Sequence, residues 1–347
     1  MKDLKNCSNC GGSLSFSPQK QAIWCEHCGS TYPIELPSKN VKITRKYSLD
    51  YMPELASKEI SQYYCKTCGT SHIVTNGKVS TRCPSCGSKD IETYSSDTYS
   101  PDGIVTFKID KQQATSCFDK WIKKRKFAPS DLYTMAKQGK ISSVYVPVYN
   151  INATNVCFYN GTVKKVHVDK ETNTVFSTVH MVKDVETTQV KNLAISANSM
   201  IEDDLIGKIM DIDSNQIVPY SSSYLFGYSA ANTDENLQSQ VETLRQVCCE
   251  NAERQVRSKL SSKYDEIVNL TCASKLENIF FNYLYVPIYV NHYKYKDKNY
   301  HCYISGIDGK TTGKSPKSVG KILATVGGVL GAIGLIGFLI AKLVLKF

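Results

Sequence analysis

Eight cysteines in four Cys-x2-Cys-Gly pairs carry the most specific chemistry in this sequence. Cys7, Cys10, Cys25 and Cys28 form one quartet, and Cys65, Cys68, Cys83 and Cys86 repeat it 58 residues later. Tetrahedral zinc needs four soft ligands converging on one point at about 2.3 Å, and the two residues inside each pair bend the backbone around a shared ion. Gly11, Gly29, Gly69 and Gly87 follow the second cysteine of each pair, where such a turn calls for a positive φ that glycine adopts freely. Fourteen residues separate the two pairs of a quartet, enough for one short hairpin. Two Zn2+ ions are expected, each enclosed by four thiolates and therefore structural, contributing about 10 kcal/mol of folding free energy per site. Iron is the chemical rival, because Cys83-Pro84-Ser85-Cys86-Gly87 is similar to a rubredoxin knuckle. His27 and His72 are surplus to the quartets and read as surface or ligand-supporting residues.

No other cluster suggests catalysis. Gly309-Lys310-Thr311 and Gly313-Lys314-Ser315 resemble the ends of phosphate-binding loops, but Ile304 and Asp308 stand where the first glycine is required. A strand–turn–strand is predicted there instead. No HExxH, GxSxG or dinucleotide fingerprint occurs. Cys117, Cys157, Cys248, Cys249, Cys272 and Cys302 lie in apolar or alternating settings and read as core residues. A thiol-redox sensor is the weaker alternative for them. The expectation is a protein that is not an enzyme.

Charge is unevenly distributed. Residues 107–140 carry a net +6, residues 292–347 a net +7, and residues 141–291 a net −5. Within the first stretch Lys120, Lys123, Lys124, Arg125 and Lys126 surround Trp121 and Phe127, a pattern suited to nucleic acid or anionic lipid. An amphipathic helix end, its aromatics in the core and its lysines solvated, is the plainer reading of the same residues. The N-terminus shows no apolar signal region, so fourteen cysteines imply a reducing compartment and metal binding rather than disulfides.

The elements that must position these groups follow from periodicity. Ala114, Cys117, Phe118, Trp121 and Ile122 recur at helical spacing over 111–125. Leu237, Val241, Leu244, Cys248, Ala252, Val256 and Leu260 do the same over 232–264, with Thr233, Asp234 and Glu235 as a start signal. Tyr145-Val146-Pro147-Val148-Tyr149 recurs 140 residues later as Tyr285-Val286-Pro287-Ile288-Tyr289, each reading as a hairpin with proline at an edge or strand entry. The 22 tyrosines favour strands over a helical bundle. Residues 322–341 carry no charge over twenty positions, the length of a hydrocarbon span, with Lys310, Lys314, Lys317 and Lys321 before them. Gly327 and Gly331 form a small-xxx-small pair suited to helix association and homo-oligomerisation there.

The expected architecture is α+β: a zinc ribbon at 1–36, a linker at 37–58, a second ribbon at 59–95, a duplicated helix-plus-antiparallel-β domain at 96–316 and one transmembrane helix at 320–345. The expected location is the cell membrane, single-pass, with the N-terminal domains cytoplasmic.

The cysteine quartets, the basic helix from Ala114 to Phe127, Val218-Pro219-Tyr220, Leu225-Phe226-Gly227-Tyr228 and the two Tyr-Val-Pro motifs together resemble a bacterial family of membrane proteins with TFIIB-type zinc ribbons, the YdjG-like proteins. That resemblance implies platforms that recruit soluble and membrane partners, PspA-type phage-shock proteins among them, during envelope stress. The expected function is a tail-anchored scaffold for partner proteins. The alternative is a membrane-tethered, nucleic-acid-binding zinc-ribbon protein of replication or transcription.

Overall fold

The computed structural model describes residues 6–34, 45–46, 57–67, 70–73, 83–84, 88–137, 139–169, 171–199, 201, 203–233, 237–296 and 298–344. The first quartet lies in a three-stranded sheet of β1 (Leu14–Ser17), β2 (Ala22–Cys25) and β3 (Thr31–Tyr32). The other described strands join one twelve-stranded sheet. These are β4 (Arg45–Lys46), β5 (Ser57–Cys65), β6 (Ser71–Ile73), β7 (Ile91–Tyr99), β8 (Gly103–Val105), β9 (Lys140–Val168), β10 (Val175–Ser196), β11 (Ile217–Pro219), β12 (Ser229–Ala231), β13 (Glu266–Tyr295), β14 (Lys298–Ser305) and β15 (Thr311–Gly313). The main path runs β11-β8-β13-β9-β12-β6-β5-β7. Five helices are α1 (Lys111–Lys123), α2 (Leu132–Ala136), α3 (Asp203–Ile209), α4 (Leu237–Ser261) and α5 (Val319–Val344).

The spine is the triplet β10-β9-β13, with strands of 22, 29 and 30 residues. The alternating tails behind each Tyr-Val-Pro motif prolong the same strand instead of turning back within a short hairpin. The two motif copies then pair with each other: Val146 lies opposite Val286, Tyr145 opposite Pro287, and Pro147 opposite Tyr285. This pairing is symmetric about the Val146–Val286 pair, and it buries Tyr145, Tyr149, Tyr283, Tyr285 and Tyr289. The prolines sit in the middle of the sheet rather than at its edge or at a strand entry. Each is tolerated because its neighbouring strand stops one residue short of it. Ser196, the last residue of β10, faces Val148, and Ser305, the last of β14, faces Ile288. The next residue in each neighbour, Ala197 or Gly306, donates its N–H to the Pro147 or Pro287 carbonyl at 2.9 and 2.8 Å. No ladder bond asks for the N–H that proline lacks.

Both predicted amphipathic helices form. In α1, Ala114, Phe118, Trp121 and Ile122 are buried, and Asp110 and Gln113 close a capping box at its start. In α4, Leu237, Leu244, Cys248, Ala252, Val256 and Leu260 are buried. Val241 has no described side chain, and Asp234 and Glu235 of the start signal lie outside the described residues.

Two expectations are corrected. The architecture is sheet-dominated, not an α+β arrangement of tandem ribbons, a duplicated region and a membrane helix. Strands from the second quartet's region enter the large sheet: β5 pairs with β7 and β6, and β6 pairs with β12. Among the described residues no helix is long and apolar enough to cross a membrane, which overturns the transmembrane helix at 320–345 and the single-pass cell-membrane location. The start of α5 is fastened to the body: Ser318 N–H donates to the Phe127 carbonyl at 2.7 Å, and Lys321 Nζ donates to the Ala128 carbonyl at 2.7 Å.

Candidate metal centre

One backbone bond recurs at the first cysteine of all four pairs. The N–H of Cys7 donates to the Gly12 carbonyl at 2.8 Å, Cys25 to Ser30 at 2.9 Å, Cys65 to Thr70 at 3.0 Å and Cys83 to Ser88 at 2.7 Å. Each bond spans five residues and curls the chain around the first cysteine of its pair. In the first quartet Gly11 and Gly29 add a second bond to the Cys7 and Cys25 carbonyls, with φ of +72° and +76°. That left-handed conformation is why glycine follows both pairs of the first quartet.

The first quartet is assembled. The sulfurs of Cys7, Cys10, Cys25 and Cys28 all lie within 4.8 Å of one another. Cys7 Sγ is 3.5 Å from Cys28 Sγ, and Cys10 Sγ is 3.5 Å from Cys25 Sγ. A tetrahedron with metal–sulfur arms of about 2.3 Å has edges of about 3.8 Å, so this group can hold a metal ion. All four coordination positions come from the protein, which leaves none open for a substrate. A Cβ at Gly12 would lie 3.2 Å from Cys25 Sγ and 3.3 Å from Cys10 Sγ, so the fold keeps that position small beside the thiols.

Electrostatics fit the same reading. The Tyr32 hydroxyl, 3.1 Å from Cys7 Sγ, holds that thiol down at about 6. The Ser30 hydroxyl, 3.1 Å from Cys28 Sγ, lowers Cys28. Cys10 is pushed up to about 12: the Gly12 N–H pulls it down, but Cys28, desolvation and the other two thiols outweigh it. Four adjacent sulfurs resist joint ionisation unless a cation balances them, which is the demand a divalent metal meets.

The second quartet is described through Cys65 and Cys83, both fully buried; Cys68 and Cys86 lie outside the described residues. His72 is not at the surface. It is buried, stacked on Tyr63 at 5.2 Å, with Nε2 3.7 Å from Cys83 Sγ. The Thr70 hydroxyl lies 3.6 Å from the same sulfur. His27 is exposed. On the far side His292 donates Nε2–H to the Pro84 carbonyl, and its ring meets His301 at 5.0 Å. Burial pushes His292 down to about 4.

The remaining predicted residues are scattered. Lys120, Lys123, Lys124, Arg125 and Lys126 are exposed around one end of α1. Arg125 covers the Trp121 ring at 4.2 Å and Lys123 the Tyr133 ring at 4.9 Å. Trp121 is 6% exposed, which closes it to base stacking, whereas Phe127 is exposed rather than in the core. Gly327 and Gly331 are exposed, with nothing within 4 Å of an added Cβ. Residues 298–313 form the predicted strand–turn–strand. Cys157, Cys248 and Cys302 are buried, while Cys117, Cys249 and Cys272 are partly so. Burial pushes Cys248 up to about 11 and Cys272 up to about 12, away from thiolate chemistry.

Sequence reasoning missed the contacts that seat the first sheet on the body. Phe16 N–H donates to the Phe226 carbonyl at 2.9 Å, and the Phe16 ring meets Tyr224 edge-on at 5.3 Å. A Cβ on Gly227 would lie 2.8 Å from Ser15 Oγ. Gln21 Nε2 donates to the Phe107 carbonyl at 2.9 Å and Gln19 Nε2 to Asp110 at 2.6 Å. The available signal was Leu225-Phe226-Gly227-Tyr228, a glycine between aromatics.

No family description matches the chain, and no solved structure matches it. It is similar to YdjG of Bacillus subtilis (strain 168), an uncharacterized protein, with 26% identity over 326 residues that cover 91% of each chain. The similarity follows nearly the whole order of motifs and is in keeping with the YdjG-like resemblance.

Proposed function

We propose that this chain is a non-enzymatic scaffold for partner proteins, in which zinc in both cysteine quartets braces the N-terminal half against the large sheet. The carrying observation is the first quartet, whose four sulfurs converge with no open ligand position and whose small sheet is docked through Phe16 and Gln21. A closed thiolate site staples chain and does not turn over substrate. The backbone bond shared by all four cysteine pairs supports a second, equivalent ion at Cys65, Cys68, Cys83 and Cys86. Partners of the PspA type, which the family resemblance implies, are the first to test.

Elemental analysis of the purified full chain should give two zinc ions, and one after Cys7→Ser with Cys10→Ser. Nuclease-treated co-purification should retain partner proteins with the wild type and lose part of them with that double variant. Salt-sensitive nucleic-acid binding that disappears on neutralising Lys123, Lys124 and Arg125 would replace this reading with the nucleic-acid one.

A further inference from the structure

We propose that the outer edge of β10 is a homodimer interface, at which two copies of this chain pair antiparallel about Val182. Among the described residues β10 pairs as a strand with β9 alone, so its other edge has no strand partner. The hairpin turn sets which residues face that edge. Asp169 N–H donates to the Thr174 carbonyl at 2.9 Å, which makes 169 and 174 a hydrogen-bonded pair. Such pairs alternate along antiparallel strands. Even-numbered residues of β10 from Phe176 to Val190, ahead of the bulge, therefore bond to β9, while Val175, Ser177, Val179, Met181, Lys183 and Val185 point their N–H and C=O outward.

The side chains of the same residues are bare. Val175, Val179, Met181 and Val185 are exposed, Met181 at 91%. The opposite face is covered by α4, where Val256 and Leu260 pack with Tyr159 and Val163. Long edge strands with exposed apolar rows recruit another strand unless something blunts them. One outward donor is capped in place: Asp184 accepts from Val185 N–H at 2.8 Å.

One self-pairing register of this edge brings opposite charges together. Two-fold pairing about Val182 sets Val182 against its own copy, Val179 against Val185 and Met181 against Lys183. It also places His180 opposite Asp184 twice, once on each side of the axis, and frees the Asp184 carboxylate from its local bond. A register one residue further would oppose Lys183 to itself. Isologous pairing of this kind is what a second copy supplies and an unrelated strand does not.

Light scattering and sedimentation of the full chain test this. A mass of two chains that dissociates on dilution is expected. Met181→Pro removes an outward N–H that β9 does not use, and it should yield single chains with unchanged circular dichroism and zinc content. His180→Asp should weaken dimerisation on the order of tenfold through like charges at two symmetric positions, and adding Asp184→His should restore it. Single chains at every concentration would overturn the proposal. So would a dimer that survives Met181→Pro and His180→Asp, or one broken only by a charge on the apolar face, such as Phe158→Lys.

Discussion

Cys25 ends β2 of a three-stranded sheet that meets the body through Phe16, Gln19, Gln21 and their partners. Cys65 ends β5, which is paired along its whole length with β7 inside the twelve-stranded sheet. The local chemistry is the same: identical cysteine spacing and the same five-residue backbone bond. The difference lies in the flanks. The first quartet is followed closely by the short β3, whereas the second is enclosed by two nine-residue strands whose edges other strands can use. A Cys-x2-Cys knuckle thus fixes a turn and leaves its flanking strands to decide whether the result is a docked module or part of a larger sheet.

The comparison breaks most readily at the cysteines. Cys83→Ser should remove one metal equivalent and, with it, folding free energy on the order of 10 kcal/mol, loosening β5 to β7 and β12 together. Cys25→Ser should remove one equivalent and unfold only the small sheet. Circular dichroism and amide exchange separate the two outcomes, and equal loss of strand signal in both variants would erase the distinction.

Phe16→Ala tests docking. Phe16 is 2% exposed, so truncation should cost about 4 kcal/mol. Amide exchange should rise across 14–25 while metal content and the large sheet stay unchanged. Unfolding of both sheets together would show that the first is not a separable module.

Acid should act on the second quartet's side. His292 is held neutral down to about 4, whereas an unfolded imidazole takes a proton near 6.5, so the unfolded chain binds it first. The associated stability is complete above pH 6.5 and is lost as pH falls towards 4, by about 3 kcal/mol. Thermal melts at pH 7 and pH 4.5 should therefore converge in His292→Gln by that amount, with exchange near Pro84 the first to increase in the wild type.

Much of the metal site was legible because its determinants are local: residue type, a spacing of two and a following glycine. The helices α1 and α4 were legible through the burial of Phe118 and Trp121, and of Leu244 and Val256. The sheet was not, since nothing within Tyr145–Tyr149 states that its partner is Tyr285–Tyr289. Proline signalled an edge, but the structure tolerates it at the centre by ending a neighbouring strand. The apolar stretch behind Lys321 was read from its length and lack of charge alone, and among the described residues no helix is long and apolar enough to cross a membrane. For His72 surface and ligand support were left open, because its burial depends on Tyr63 and on a sheet that the local sequence does not announce.

The meeting of the two Tyr-Val-Pro motifs also sets an order of events during synthesis. Their 140-residue separation makes closing that loop cost about 4 kcal/mol of chain entropy before any contact repays it. Both cysteine quartets and the β9–β10 hairpin emerge long before β13 exists. The nascent chain must therefore hold a half-built, apolar sheet until its last quarter arrives, and this late pairing is the step at which slow folding and misassembly concentrate.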